Sequence, residues 1–144
     1  MNHPLKKLVR SESLIESVAK KYGTPLYIYD KNQLKKNISS IDSSLKKNFS
    51  RYQIFYTIKA NSNPSIIKSL KSSISNLGAD CSSPGELYAA KLGGISGNEC
   101  IYTGNYESNT DLELALRSRA HINLDDISLS ISNFIVSSNN CCST

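Results

Sequence analysis

Ile54-Phe55-Tyr56-Thr57-Ile58-Lys59 is the stretch on which the reading of the fold turns. It is a compact apolar run of branched and aromatic residues that closes on a lysine, which is the signature of a strand. A loop and an apolar helix pattern at Ile66, Ile67 and Leu70 follow it. The same order then recurs. Leu77–Cys81 reads as a second strand, with a helix through Leu87, Ala90 and Leu92 up to Gly93-Gly94. Cys100–Thr103 reads as a third, with a helix through Leu112, Leu114, Ala115 and Leu116, and His121–Leu124 as a fourth. The strands begin about 21 to 24 residues apart, each pair separated by one helical segment. Strands alternating with helices at this pitch predict βαβ units and a parallel sheet, an α/β fold.

Local punctuation supports the repeat. Ser83-Pro84-Gly85-Glu86 carries a capping-box pattern with proline at the first helical position, and Ser108-Asn109-Thr110-Asp111 a second cap. Upstream, Ser13–Lys21 reads as a short helix ended by Gly23-Thr24-Pro25, and Leu26-Tyr27-Ile28-Tyr29 as a strand. Asp30 is placed to cap a helix in which Leu34, Ile38, Ile41 and Leu45 recur up to Phe49. Repeating units of this kind close either as an open doubly wound sheet or as an eight-stranded barrel of about 250 residues. Neither a GxGxxG nor a Walker A loop follows the first strand, which removes the usual nucleotide-binding readings. After Asp125-Asp126 the rhythm stops, and residues 127–144 form an atypical Ser/Asn-rich tail.

With 144 residues and 39% hydrophobic content, the chain is long enough to bury a core. No apolar run approaches the roughly 18 residues of a membrane span, so no membrane contact is expected. The Met1–Lys7 start lacks the apolar region of a secretory signal. Cys81, Cys100, Cys141 and Cys142 form no CxxC pair, which suits neither a disulfide framework nor a zinc site; the expected setting is reducing and cytoplasmic. The net charge of +5 is uneven, with 14 of the 17 Lys and Arg residues lying at or before Lys71. They fall as pairs (Lys6-Lys7, Lys20-Lys21, Lys35-Lys36, Lys46-Lys47) between apolar positions at helical spacing, so they read as solvated helix faces and no nucleic-acid partner is expected.

Lys59 stands out chemically. It falls at the C-terminal end of a parallel strand, the face on which α/β folds place ligands. There an amine can act on a carbonyl compound, although a lysine opening a solvent-facing loop has the same address. Asp80 lies at the end of the second strand and reads as a carboxylate able to hold a cation or as an ordinary strand-end acid. Glu86 faces the same end but also fits a capping glutamate. His121 reads as structural and Cys81 as buried packing.

Phe55-Tyr56-Thr57-Ile58-Lys59-Ala60-Asn61-Ser62-Asn63-Pro64 resembles the lysine motif of the fold-type III, alanine-racemase-like pyridoxal-phosphate decarboxylases, and among them most closely that of the diaminopimelate decarboxylases. Tyr22–Asp30, Gly78–Leu87, Ile101–Asn105 and Ile122–Asp125 agree in order and spacing, so the likeness covers roughly residues 12 to 126. It implies a partial (β/α)8 TIM-type barrel of about the first four βα units. Residues 1–30 would be a helix and a strand of a second, β-rich domain, and 31–126 the N-terminal half of the cofactor-binding barrel. It implies pyridoxal 5'-phosphate on Lys59 through a Schiff base, with Asp80 and Glu86 near the cofactor, and a homodimer acting on a small amino acid. The implied reaction releases carbon dioxide from the D-configured centre of meso-2,6-diaminopimelate and leaves L-lysine. The family's glycine-rich phosphate grip and C-terminal substrate ligands have no counterpart in the sequence, so the expectation is an N-terminal portion, inactive alone. Two alternatives stand beside this: a non-catalytic homologue that binds a partner enzyme, and a decarboxylase of another basic amino acid.

Overall fold

The computed structural model describes residues 12–105 and 107–124; the Ser/Asn-rich tail at 127–144 lies outside them. Helix α1 (Glu12–Tyr22) ends where Gly23 takes φ +80, a left-handed conformation that costs glycine nothing, and returns its N–H to the Ala19 carbonyl at 2.8 Å. Helix α2 (Lys31–Asn48) starts at the expected cap, where Asp30 Oδ1 accepts from the N–H groups of Asn32 and Gln33 at 2.9 and 3.0 Å. Of its apolar series only Ile38 is buried; Leu34 packs against the core from its edge, and Ile41 is exposed.

Four strands follow in the expected places: β1 (Ile54–Thr57), β2 (Leu77–Cys81), β3 (Cys100–Tyr102) and β4 (His121–Ile122). Between them run α3 (Pro64–Lys71), α4 (Pro84–Leu92) and α5 (Asn109–Arg117). The starts of α3 and α4 combine proline in the first turn with a side-chain cap, Asn63 and Ser83 respectively. The sheet is wholly parallel and its spatial order is β1-β2-β3-β4, the order of the chain. A doubly wound sheet must reverse direction at a switch point, and this one does not. Every crossover steps the same way, which puts the helices on one face. The buried residues of α2 to α5 accordingly form one cluster with alternate strand residues, Leu77, Ala79, Cys81, Cys100 and Tyr102. These are four consecutive strands of a (β/α)8-type barrel wall with the helix layer outside.

One expected element is absent. Residues 26–29 have strand-like composition, yet no ladder forms there, and Tyr27 is 91% exposed. Aromatic and branched residues favour a strand only when a neighbouring strand accepts their backbone groups, and none of the described residues does so here.

A polar clamp closes the N-terminal end of the sheet. Lys71 Nζ donates to the carbonyls of Leu77 at 2.8 Å and Ser75 at 3.3 Å, and to Glu99 Oε1 at 2.7 Å. Glu99 Oε2 accepts from the Ser96 N–H at 3.0 Å and the Ser96 hydroxyl at 2.8 Å, a capping box in the short turn Gly97–Glu99. The clamp ties the end of α3 to the start of β3.

Candidate active site

The chemistry gathers at the opposite, C-terminal end of the sheet. Lys59 lies just past β1 in a single 3₁₀ turn, Ile58–Ala60. Ile58 is fully buried and roots the turn in the core, while Lys59 and Ala60 are exposed. Among the described residues the Lys59 amine has neither a hydrogen-bond partner nor an ion pair. The expected strand-end lysine is thus in place, one turn beyond the ladder.

Asp80 is the next-to-last residue of β2. The register pairs Thr57 with Asp80, Asp80 with Ile101, and Ile101 with His121, so these four residues form a row across the sheet. Alternation puts the row on the face turned away from the helix cluster. The Thr57 hydroxyl approaches Asp80 Oδ2 at 3.4 Å, a long contact, and leaves the carboxylate half-buried on that face. Lower on the same face, Gly78 leaves room for the Phe55 ring: a Cβ there would stand 2.8 Å from the ring and collide with the Glu99 carbonyl.

Glu86 combines the two roles open to it in sequence. The Ser83 hydroxyl accepts from the Glu86 N–H at 3.3 Å as a cap, but the Glu86 carboxylate does not return to Ser83. Instead Oε2 accepts from the N–H of Ser82 at 2.8 Å. It thereby pins the β2–α4 turn directly after Asp80 and Cys81. Cys81 is fully buried, in hydrogen-bond contact with the Cys100 thiol, and this contact, burial and the charges of Glu86 and Asp80 push its thiol up. It is packing, as expected. His121 is exposed, and its Nε2 lies 3.2 Å from the carbonyl of Asn98. That partner belongs to the turn before β3, so the imidazole serves the wall and not the lysine edge.

Behind Lys59 the turn is held by a cluster that the sequence reading did not single out. Asn61 accepts at its backbone carbonyl from the Tyr56 hydroxyl at 3.1 Å and at Oδ1 from the Asn63 N–H at 3.0 Å. Its Nδ2 donates to the Tyr29 hydroxyl at 2.9 Å. Asn63 Oδ1 in turn caps α3 through the Ser65 N–H at 2.9 Å. The signal available in sequence was the pair of asparagines on either side of Ser62, each free to form a local backbone bond.

The donor set fits an aldehyde-bearing cofactor: an accessible amine, unpartnered among the described residues, stands at a sheet edge that also carries the carboxylate of Asp80. A groove of about 750 Å³ lies on the helix side between α4 and α5, lined among others by Tyr88, Lys91, Leu114 and Arg119, and includes neither Lys59 nor Asp80. Among the described residues no helix is long and apolar enough to cross a membrane.

Comparison with known proteins agrees with this geometry. The family described as "Pyridoxal-dependent decarboxylase, pyridoxal binding domain" matches residues 33–130. A diaminopimelate decarboxylase of Methanothermobacter thermautotrophicus is 37% identical over 108 residues, covering 75% of this chain and 25% of that protein. One from Aquifex aeolicus is 36% identical over 104 residues, covering 72% and 23%. Among solved structures, a diaminopimelate decarboxylase of Helicobacter pylori complexed with L-lysine superposes with a TM-score of 0.78 at 27% identity, over 88% of this chain and 31% of that one. One from Methanocaldococcus jannaschii, also with L-lysine, gives 0.73 at 28% identity, over 86% and 29%. The chain spans about a quarter of the length of the curated relatives it matches.

Proposed function

The chain belongs to the pyridoxal-dependent decarboxylases, and we propose that it supplies the lysine end of a site that converts meso-2,6-diaminopimelate to L-lysine and carbon dioxide. The observation that carries this reading is the position of Lys59, whose exposed amine is presented by a rooted turn at the C-terminal end of a parallel sheet. The relatives named above are diaminopimelate decarboxylases, which supports the choice of substrate.

Pyridoxal phosphate, when bound, supplies the electron sink that makes loss of a carboxylate accessible. This chain's residues have narrower tasks. Lys59 holds the cofactor through its amine. Asp80 places a carboxylate on the same edge, which favours a cationic partner there. Glu86 fixes the backbone after Asp80 by its bond to Ser82, so the turn keeps one shape. The buried Ile58 keeps water from the root of the lysine turn. Grip on the phosphate and on the substrate would come from outside the described residues. In this proposal residues 1–30 belong to a second domain and 31–126 to the barrel, and the enzyme works as a cytoplasmic homodimer.

The test is borohydride trapping of pyridoxal phosphate followed by peptide mapping. The adduct is expected on Lys59 and absent from Lys59→Ala. An adduct spread evenly over exposed lysines such as Lys68 and Lys91 would overturn the reading. Release of carbon dioxide from meso-diaminopimelate, compared with L-lysine and L-ornithine, tests the substrate.

A further inference from the structure

The Lys59 turn is fixed at two points of different character. Ile58 on one side is fully buried, so its hold is that of the hydrophobic core. On the other side the chain leaves the turn at Asn61, which is extended (φ −163, ψ 109) and only half-buried. Its hold is polar. Three groups of this one residue, its carbonyl, Oδ1 and Nδ2, are each engaged by a separate partner at 2.9 to 3.1 Å.

Two of those partners are local. The third, Tyr29, comes from 32 residues upstream. It belongs to the stretch 26–29 that makes no ladder, and among the described residues no other hydrogen bond joins residues 24–29 to the sheet. Tyr29 is 49% exposed, so its ring contributes little to the core and its hydroxyl is the specific contact. Tyr56 and Tyr29 thus hold Asn61 through its carbonyl and its amide nitrogen. Burial, and next the neighbouring Tyr29, push the Tyr56 hydroxyl up, so it remains protonated and donates throughout the neutral range.

We infer that Tyr29 and Asn61 are positioning residues for Lys59: their hydrogen bond fixes the exit of the turn, and through it the upstream segment sets where the lysine amine stands. The inference rests on the reading of Lys59 as the cofactor lysine and adds the device that aims it. A purely structural bond would stabilise the fold without affecting which lysine the cofactor chooses. A positioning bond acts on that choice.

The experiment uses the full chain with Tyr29→Phe, Asn61→Ala and the double variant. Each is treated with limiting pyridoxal phosphate and borohydride, and adducts at Lys59 and at the exposed Lys68 of α3 are quantified in the same molecule by mass spectrometry. Tyr29→Phe removes one exposed hydroxyl, so its thermal midpoint should fall by no more than the loss of a single hydrogen bond produces. The expected result for Tyr29→Phe is a fall in the Lys59-to-Lys68 ratio of about fivefold, the factor one ordinary hydrogen bond supplies. Asn61→Ala, which also loses the bond from the Asn63 N–H, falls at least as far, and the double variant falls no further than Asn61→Ala. Amide hydrogen exchange should rise over residues 59–62 and not over α3. An unchanged ratio in Tyr29→Phe overturns the inference, even if exchange rises or the midpoint drops. Failure of the cofactor reading shows separately, as no preference for Lys59 in the unsubstituted chain.

Discussion

Thr57 and Asp80 stand opposite each other on β1 and β2, and the Thr57 hydroxyl lies 3.4 Å from Asp80 Oδ2. This pairing puts the carboxylate in the next strand level with the last ladder residue before the Lys59 turn, on the face turned away from the helix cluster. At 3.4 Å the hydrogen bond is weak, so the hydroxyl restrains the carboxylate only loosely.

Asp80→Asn therefore removes the charge and keeps an acceptor for Thr57. The fold should be unaffected, and the concentration of pyridoxal phosphate giving half-maximal trapping on Lys59 should rise about fivefold, the effect of an interaction near 1 kcal/mol at a solvent-accessible site. Half-saturation equal to that of the unsubstituted chain would remove Asp80 from the site.

The Lys71–Glu99 clamp makes stability depend on acid. Lys71 first, against some opposing burial, holds the Glu99 carboxyl at about 2, below its ordinary value of 4.5. A carboxyl lowered on folding stabilises the protein above its unfolded value, and that contribution fades as pH falls from about 5 towards 2. Glu99 is partly exposed, so the contribution is about 1–2 kcal/mol after allowance for solvent screening. Glu99→Gln should lose this amount at pH 7 and flatten the acid limb of the urea midpoint plotted against pH. An unaltered acid limb would show that the clamp contributes nothing.

Gly78 tests the packing of the open face. A methyl group there meets the Phe55 ring at 2.8 Å and the Glu99 carbonyl, and backbone cannot yield as a side chain can. Gly78→Ala should cost about 1–3 kcal/mol by overpacking, and Gly78→Ala with Phe55→Leu should recover part of it. Equal unfolding midpoints for Gly78→Ala and the unsubstituted chain would contradict this.

Cys81 should be chemically silent. Its thiol is buried and pushed up, chiefly by the bond with Cys100, so little thiolate exists at neutral pH. Peptide mapping after iodoacetamide should find Cys81 unmodified in the native chain and modified in urea. Rapid native alkylation at Cys81 would show that the wall opens there.

Local signals carried much of this structure. The pitch of the apolar runs located all four strands; Asp30 and Ser83 capped where their side chains allow; the lysine ended up at the C-terminal edge of the sheet because a strand end is a local property. The likeness of the Lys59 segment to pyridoxal-phosphate decarboxylases was legible for the same reason, being a contiguous motif. Periodicity erred at Ile41, exposed although it lies in the apolar series of α2, because the pattern marks a face and not how far the neighbouring elements extend to cover it.

The sequence by itself determined the βα rhythm, the helix caps and the chemical identity of the lysine segment, all of which depend on residues within about one turn or one strand of each other. The tertiary structure decided what the apolar runs left open, that the sheet runs in chain order with one helix layer as the family resemblance implied, because apolar runs do not record the side on which they are covered. It also decided that Leu26–Tyr29 is no strand, since a ladder exists only where a second backbone supplies its partners. The bonds that join Tyr29 to Asn61 and Lys71 to Glu99 span 32 and 28 residues, and pairs so distant are set by the path of the folded chain.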